Sequence, residues 1–272
     1  MTTLIELWPL LLLLGVTGLF AGLIAGLLGI GGGIVLVPVL DYALQRAGFP
    51  STWSMHVAVA TSLATIIPTA IASSRAHHAR GGVDWSLAKS WAPGMLVGGL
   101  LGSLFAAAVS GQILATLFGI TAAFVAIKMA LPFDHWRVRD QVPRGYLGNF
   151  IAAIIGTLSA MMGIGGGTLS VPVMTLTGGS IHQAVGTAAF FGLLLAVPGT
   201  LGYLLANPGV ELPGFTVGLV SFAALLIVAP TSVLTAPLGA RLAHGLQQRR
   251  LSQIFAVFLC LVAVRMIQRS FT

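Results

Sequence analysis

Apolar residues run through this chain in blocks separated by short polar gaps, near 7–28, 55–72, 92–109, 112–131, 146–163, 183–205, 214–238 and 251–267. About 20 apolar residues in a helix cross about 30 Å of hydrocarbon, so each block predicts a membrane-spanning helix. Two of the blocks run on through glycine clusters, GIGGGIVLVP at 29–38 and GIGGGTLSVP at 163–172. The stretch 7–44 is too long for one crossing at about 1.5 Å per residue, and each Gly in a helix interior costs about 1 kcal/mol relative to Ala. The clusters therefore predict helix breaks. Pro38 and Pro172, five residues beyond each cluster, predict a second local disturbance.

The two clusters lie 134 residues apart, and other pairs keep the same order along the chain. HVAVAT at 56–61 pairs with HQAVGT at 182–187, GVDW at 82–85 with GVEL at 209–212, and Ala92-Pro93 with Ala229-Pro230. Gly102 pairs with Gly239, and Lys128-Met129 with Arg265-Met266. These predict a duplication: a first transmembrane repeat over 1–132, a polar linker over 133–145 and a second repeat over 146–272. Each repeat holds a Gly-broken helix or hairpin followed by three transmembrane helices, so the expected class is an all-α polytopic membrane protein.

Loop charge bears on how the repeats face. With four crossings per half, nine of the 13 Lys and Arg share the linker's side; with the broken segment as a hairpin, ten share it and three do not. Equivalent loops carry opposite bias, since 73–90 is basic where 206–213 has no Lys or Arg, and 109–112 is uncharged where 241–250 carries three Arg. Because Lys and Arg in short loops set orientation, the reversal favours inverted over parallel repeats, which the tallies by themselves do not separate.

Composition agrees with a bilayer: 57% hydrophobic, 7% charged, mean hydropathy +1.00. The first block lacks a basic leader, carries Glu6 and is read as mature protein. A lone Cys260 rules out an internal disulfide or a thiol metal cluster and is assigned to packing. The net charge of +7 reflects cytoplasmic loops first and attraction for anions second, with no call for nucleic acid.

In hydrocarbon, irregular backbone survives only when buried in protein or lining a wet cavity. A break frees the first N–H groups of the next half-helix, which carry partial positive charge and accept anions. The candidate substrate-binding set is therefore Gly31, Gly32 and Gly33 with Gly165, Gly166 and Gly167, joined by the hydroxyls of Thr61, Ser62, Thr168, Ser170 and Thr187. Thr168 and Ser170 stand where the first repeat has Ile34 and Leu36, so the second segment is the more polar. The bland alternatives are close helix packing for the glycines, as for Gly98, Gly99 and Gly102, and bonds to backbone four residues back for the hydroxyls.

His56 and His182 share a repeat position near a span's start, where an interfacial or capping role competes with substrate contact or proton coupling. Lys128 and Arg265 share another, where snorkelling to the headgroups competes with guarding an anion route. His77 and His78 are read as cytoplasmic loop. All six carboxylates, Glu6, Asp41, Asp84, Asp134, Asp140 and Glu211, fall at span ends or in loops, which disfavours proton-driven cation transport. No HExxH, GxSxG or phosphate-binding loop is present, so neither an enzyme nor an ATP-driven pump is expected, and no metal or cofactor.

The doubled GxGGG segment, the following His-x-Ala-Val-x-Thr and a basic, carboxylate-poor chain resemble the TauE/SafE sulfite exporter family, also called the four-toluene-sulfonate uptake permeases. The resemblance covers essentially the whole chain. It implies a multi-pass protein of the bacterial inner membrane that moves sulfite, sulfonates or related small organic anions. The expected function is a secondary transporter of small anions working by alternating access, with the small anion and the lipid bilayer as partners and a homo-oligomer left open. The alternatives are a passive anion channel and a non-transporting membrane subunit that binds a partner.

Overall fold

A computed structural model describes residues 4–29, 31–130, 139, 141–243 and 248–270. Before the polar segment near 131–144 lie α1 (Leu4–Leu28), α2 (Gly33–Arg46), α3 (Ser51–His78), α4 (Trp85–Ala108) and α5 (Gly111–Ala130). After it lie α6 (Gly145–Met161), α7 (Gly167–Leu176), α8 (Ile181–Leu205), α9 (Phe222–Leu242) and α10 (Gln248–Arg269), with a two-strand hairpin, β1 (Thr216–Val217) and β2 (Val220–Ser221), before α9. Among the described residues, six helices are long and apolar enough to cross a membrane. Most of the expected linker at 133–145 lies outside the described residues.

Both predicted breaks are present: α1 ends at Leu28 and α2 starts at Gly33, and α6 ends at Met161 and α7 starts at Gly167. The half-helices that follow have 14 and 10 residues, about 21 and 15 Å, enough for half a bilayer. One expectation fails: the block at 214–238 does not begin as helix. Gly214 and Gly218 take positive φ and set up the hairpin, so α9 starts only at Phe222, capped by the Ser221 hydroxyl.

Contacts at small residues fix the direction of each helix. Gly18, Gly22 and Gly26 on α1 meet Val228 and Thr231, then Ser232 and Thr235, then Ala236 and Ala240 on α9, so the two run parallel. Gly94, Gly98 and Gly102 on α4 meet Asn149, then Ala153 and Gly156, then Thr157 and Ala160 on α6, a second parallel pair. These rows let backbones approach where larger side chains would hold them apart. α3 and α8 oppose each other, with Gly192 against Ile66 and Ala70 and Gly199 against Leu63. α3 follows α9: Thr61 bonds Ser221 at one end, and His77 lies 3.0 Å from the Gly26 carbonyl beside Ala236 and Ala240 at the other. α8 follows α4, with Leu195 at Gly99 and Gly202 at Ser103. Two sets of parallel helices result, α1 with α3 and α9, and α4 with α6 and α8, running in opposite directions.

α2 turns back antiparallel to α3, for Ser62 sits at Gly33 and Ser54 bonds Asp41. The first broken segment is therefore a hairpin. One end of the molecule carries Arg75, Arg80, Lys89, Lys128, Arg139, Arg144 and Arg241, tied together by Arg144 on Asp84 and by the Arg139 N–H on the Leu176 carbonyl. Among the described residues, the far end carries Arg46, Arg265 and Arg269.

Some placements differ from expectation. Asp41 is not at a wet span end but 2% exposed, held by Ser54 at 2.6 Å, Gln45 at 2.8 Å and Arg269 at 3.4 Å. His77 is buried in the last turn of α3 rather than in a loop, while the exposed turn begins at His78. Cys260 is exposed on the outer face of α10 rather than packed.

Candidate functional site

The two breaks meet each other at the centre of the molecule. A Cβ on Gly31 would strike the Cα of Gly165, and one on Gly33 would strike the Gly163 carbonyl and Ile164. The outer glycines lodge on opposing core helices, Gly29 against Val185 of α8 and Gly163 against Val59 of α3. Backbone packs on backbone here, which explains why side chains are missing over several consecutive positions. The two breaks are not conformational copies: Gly32 has φ 71°, open in practice to glycine, whereas Gly166 has φ −52°, within the ordinary helical region.

Gly32 and Gly166 are the N-caps of α2 and α7, and neither helix start receives a side-chain cap. The starts of α3 and α6 are likewise without one, whereas α4, α8 and α9 are capped by Asp84, Ser180 and Ser221. The first N–H groups of each half-helix thus lack the acceptor that Ser, Thr, Asp or Asn ordinarily supplies. Each uncapped start carries roughly half a positive charge at its end. The site is electropositive without containing a basic side chain.

The predicted hydroxyls divide into three kinds. Ser62 donates to the Gly163 carbonyl at 2.8 Å, joining α3 to the second break. Thr168 and Ser170, in the first turn of α7, are buried and their hydroxyls have no partner among the described residues. Thr61 and Thr187 are committed to backbone: Thr61 Oγ1 accepts from the Ser221 N–H at 3.0 Å and Thr187 Oγ1 from the Asp84 N–H at 2.9 Å. The breaks therefore gather Gly31–Gly33, Gly165–Gly167, Ser62, Thr168 and Ser170, and leave Thr61 and Thr187 on either side.

The four residues expected at gates are not brought together. His56 is buried, with Nε2 2.9 Å from the Val109 carbonyl, and so is not interfacial. His182 lies exposed in the first turn of α8. Lys128 donates to Thr175 at 3.3 Å, next to the end of α7, while Arg265 stacks over Tyr42 near the end of α2, 5.4 Å from the ring centre. Each of these cations thus touches the half-helix of the other half of the chain.

Sequence reading missed two further groups at the second break. Ser159 closes α6 and its carbonyl accepts from the Ile164 N–H, yet its buried hydroxyl has no partner among the described residues. Thr200 is in the same state and follows Gly199, which packs on Ala160 and Leu63. Neither has a counterpart in a motif, so no spacing signal marks them. Among the described residues, no three His, Cys, Asp or Glu side chains form a metal-binding group.

The sequence profile of the sulfite exporter TauE/SafE family matches residues 14–266. A probable membrane transporter protein of Haemophilus influenzae is 36% identical over 94% of this chain and 97% of its own length. A probable membrane transporter protein of Methanocaldococcus jannaschii is 29% identical over 90% of this chain and 91% of its own. The probable membrane transporter protein YunE of Bacillus subtilis is 26% identical over 94% and 96%. No solved structure matches the chain.

Proposed function

The chain belongs to the sulfite exporter TauE/SafE family, and from that premise we propose a secondary transporter of small anions, sulfite or organosulfonates, in the bacterial inner membrane. Its two repeats, over 1–132 and 146–272, are inverted copies in which α1–α5 correspond to α6–α10. Reciprocal packing supports this reading: α1 lies on α9, the counterpart of α4, while α6 lies on α4. Counterparts run in opposite directions, as inversion requires.

The anion binds where the breaks meet. It takes the N–H groups of Gly31–Gly33 and Gly165–Gly167 together with Ser62, Thr168 and Ser170. The observation that carries the site is the unpartnered, buried pair Thr168 and Ser170 in the uncapped first turn of α7. Leaving a buried hydroxyl unpaired costs about 1–3 kcal/mol, a cost that a bound oxyanion would offset with direct hydrogen bonds. Rocking one repeat against the other then exposes the site to each side in turn. The chain works as a carrier, not an enzyme.

The test is flux of labelled sulfite in proteoliposomes holding only this protein, competed with sulfonates, sulfate, thiosulfate and acetate. Saturable flux is expected, falling at least about tenfold in Thr168→Val and Ser170→Ala while thermal stability holds or rises, because an unpaired polar group has been removed. Wild-type flux in both variants removes the site. Absence of saturable flux from a folded, inserted protein removes the carrier reading in favour of a subunit that needs a partner.

A further inference from the structure

The hydroxyls of Thr61 and Thr187 do something the substrate site does not require. Thr61 is on α3 and holds the backbone N–H of Ser221, the N-cap of α9; Thr187 is on α8 and holds that of Asp84, the N-cap of α4. The two bonds are counterparts in the register that pairs Ala92-Pro93 with Ala229-Pro230, which sets Asp84 opposite Ser221 rather than Glu211, and each joins one half of the chain to the other. Nearby threonines behave differently: Thr65 and Thr69 donate to carbonyls four residues back on α3, at 2.9 and 2.8 Å.

An N-cap residue's own N–H points away from the helix and commonly finds a Glu or Gln three residues on. Here those positions hold Leu87 and Ala224, which bring no acceptor. The opposing repeat supplies one instead. The bonds also lie on opposite sides of the breaks, one toward each end of the molecule. Asp84 is at the basic end, where Arg144 binds its carboxylate at 3.2 Å, whereas Ser221 closes the hairpin at the far end.

We propose that Thr61 and Thr187 are the clasps of two gates, one at each end, that open alternately as the repeats rock. This rests on the inverted-repeat carrier described above. Both bonds are made in this structure, so it represents the state closed at both ends, and opening toward either side breaks one bond and keeps the other. The threonines are positioning residues that do not touch the substrate.

The test uses the full chain carrying Cys260→Ala and Ser170→Cys as a reporter at the breaks, labelled with an impermeant maleimide from each face of oriented vesicles. Thr187→Val should raise labelling from the face bearing the 79–84 turn, and Thr61→Val from the other face. Each rise should be on the order of fivefold, the shift that loss of one net hydrogen bond gives. Thr→Ser at each position keeps the acceptor and should behave as wild type; Thr→Ala, with less bulk, is run beside Thr→Val. Equal increases from both faces, or no increase, overturn the clasps. Labelling needs no substrate, and flux is measured separately in the chain with Ser170 intact, because Ser170 belongs to the binding site; a protein that carries no sulfite there but labels with this sidedness in the reporter chain loses the substrate and keeps the gates. Sulfite flux with unsided labelling does the reverse.

Discussion

Asp41 shows how a single residue in this chain depends on distant partners. Its carboxylate sits on α2 with its side chain 4% exposed, and the Arg269 guanidinium that neutralises it comes from the last turn of α10, 17% exposed. Ser54 and Gln45 fill the remaining acceptor positions. Breaking a buried pair from one side is costly because it strands the other charge, whereas removing both is often close to neutral. Arg269→Gln should therefore destabilise the detergent-solubilised protein by about 3 kcal/mol, the low end for a broken buried pair because the guanidinium keeps some water. Asp41→Asn should restore most of that loss in the double variant. Denaturant unfolding of the two single variants and the double would check it, and additive losses would show that the two groups do not act as a pair.

At the scale of the element, rows of small residues decide which helices associate. In lipid there is no hydrophobic drive between apolar helices, so close backbone approach must hold α1 on α9 and α4 on α6. Gly22 packs directly on the carbonyl of Ser232, while a Cβ added at Gly15, two turns earlier on the same helix, would meet open space. Gly22→Leu should abolish a monodisperse, folded species on size-exclusion chromatography, and Gly15→Leu should melt close to wild type; equal behaviour would mean that the row is not an interface. Much at this scale was legible beforehand. Apolar length placed nearly every helix, and glycine clusters placed both breaks, because span length and helix propensity act locally. The hairpin before α9 was hidden inside an apolar block, since Leu219 and Val220 are buried there as a helix would bury them. The roles of Thr61 and Thr187 were hidden too: a hydroxyl's partner across 160 or 103 residues of chain leaves no mark in local sequence. Ser62, Thr168 and Ser170 enter the proposed site because they adjoin a conspicuous motif, while nothing comparable marks Ser159 and Thr200.

For the whole molecule, the direction of helices and the distribution of charge lead to one orientation. α1, α3 and α9 oppose α4, α6 and α8, and in the proposed inverted arrangement equivalent loops come out on opposite sides. The loop after α4 then lies at the far end, where Gly111 packs on Thr52 and Met55, and the start of α10 lies at the basic end, because its other terminus reaches Asp41 and Ser51. Lys and Arg in short loops stay on the cytoplasmic side, so the proposed orientation puts the basic end in the cytoplasm and the far end, with Arg46, Arg265 and Arg269, outside. Cys260 is exposed on α10 and can be replaced without disturbing the packed core. In a Cys260→Ala background, Ser110→Cys should react with an impermeant maleimide only from outside the cell, and Gln248→Cys only after the cytoplasmic face is opened. Parallel repeats would put both cysteines on one side, because position 110 precedes the last helix of its half as position 248 precedes the last of the other. Labelling of both from a single face would therefore remove the inverted arrangement, and with it the paired gates that depend on it.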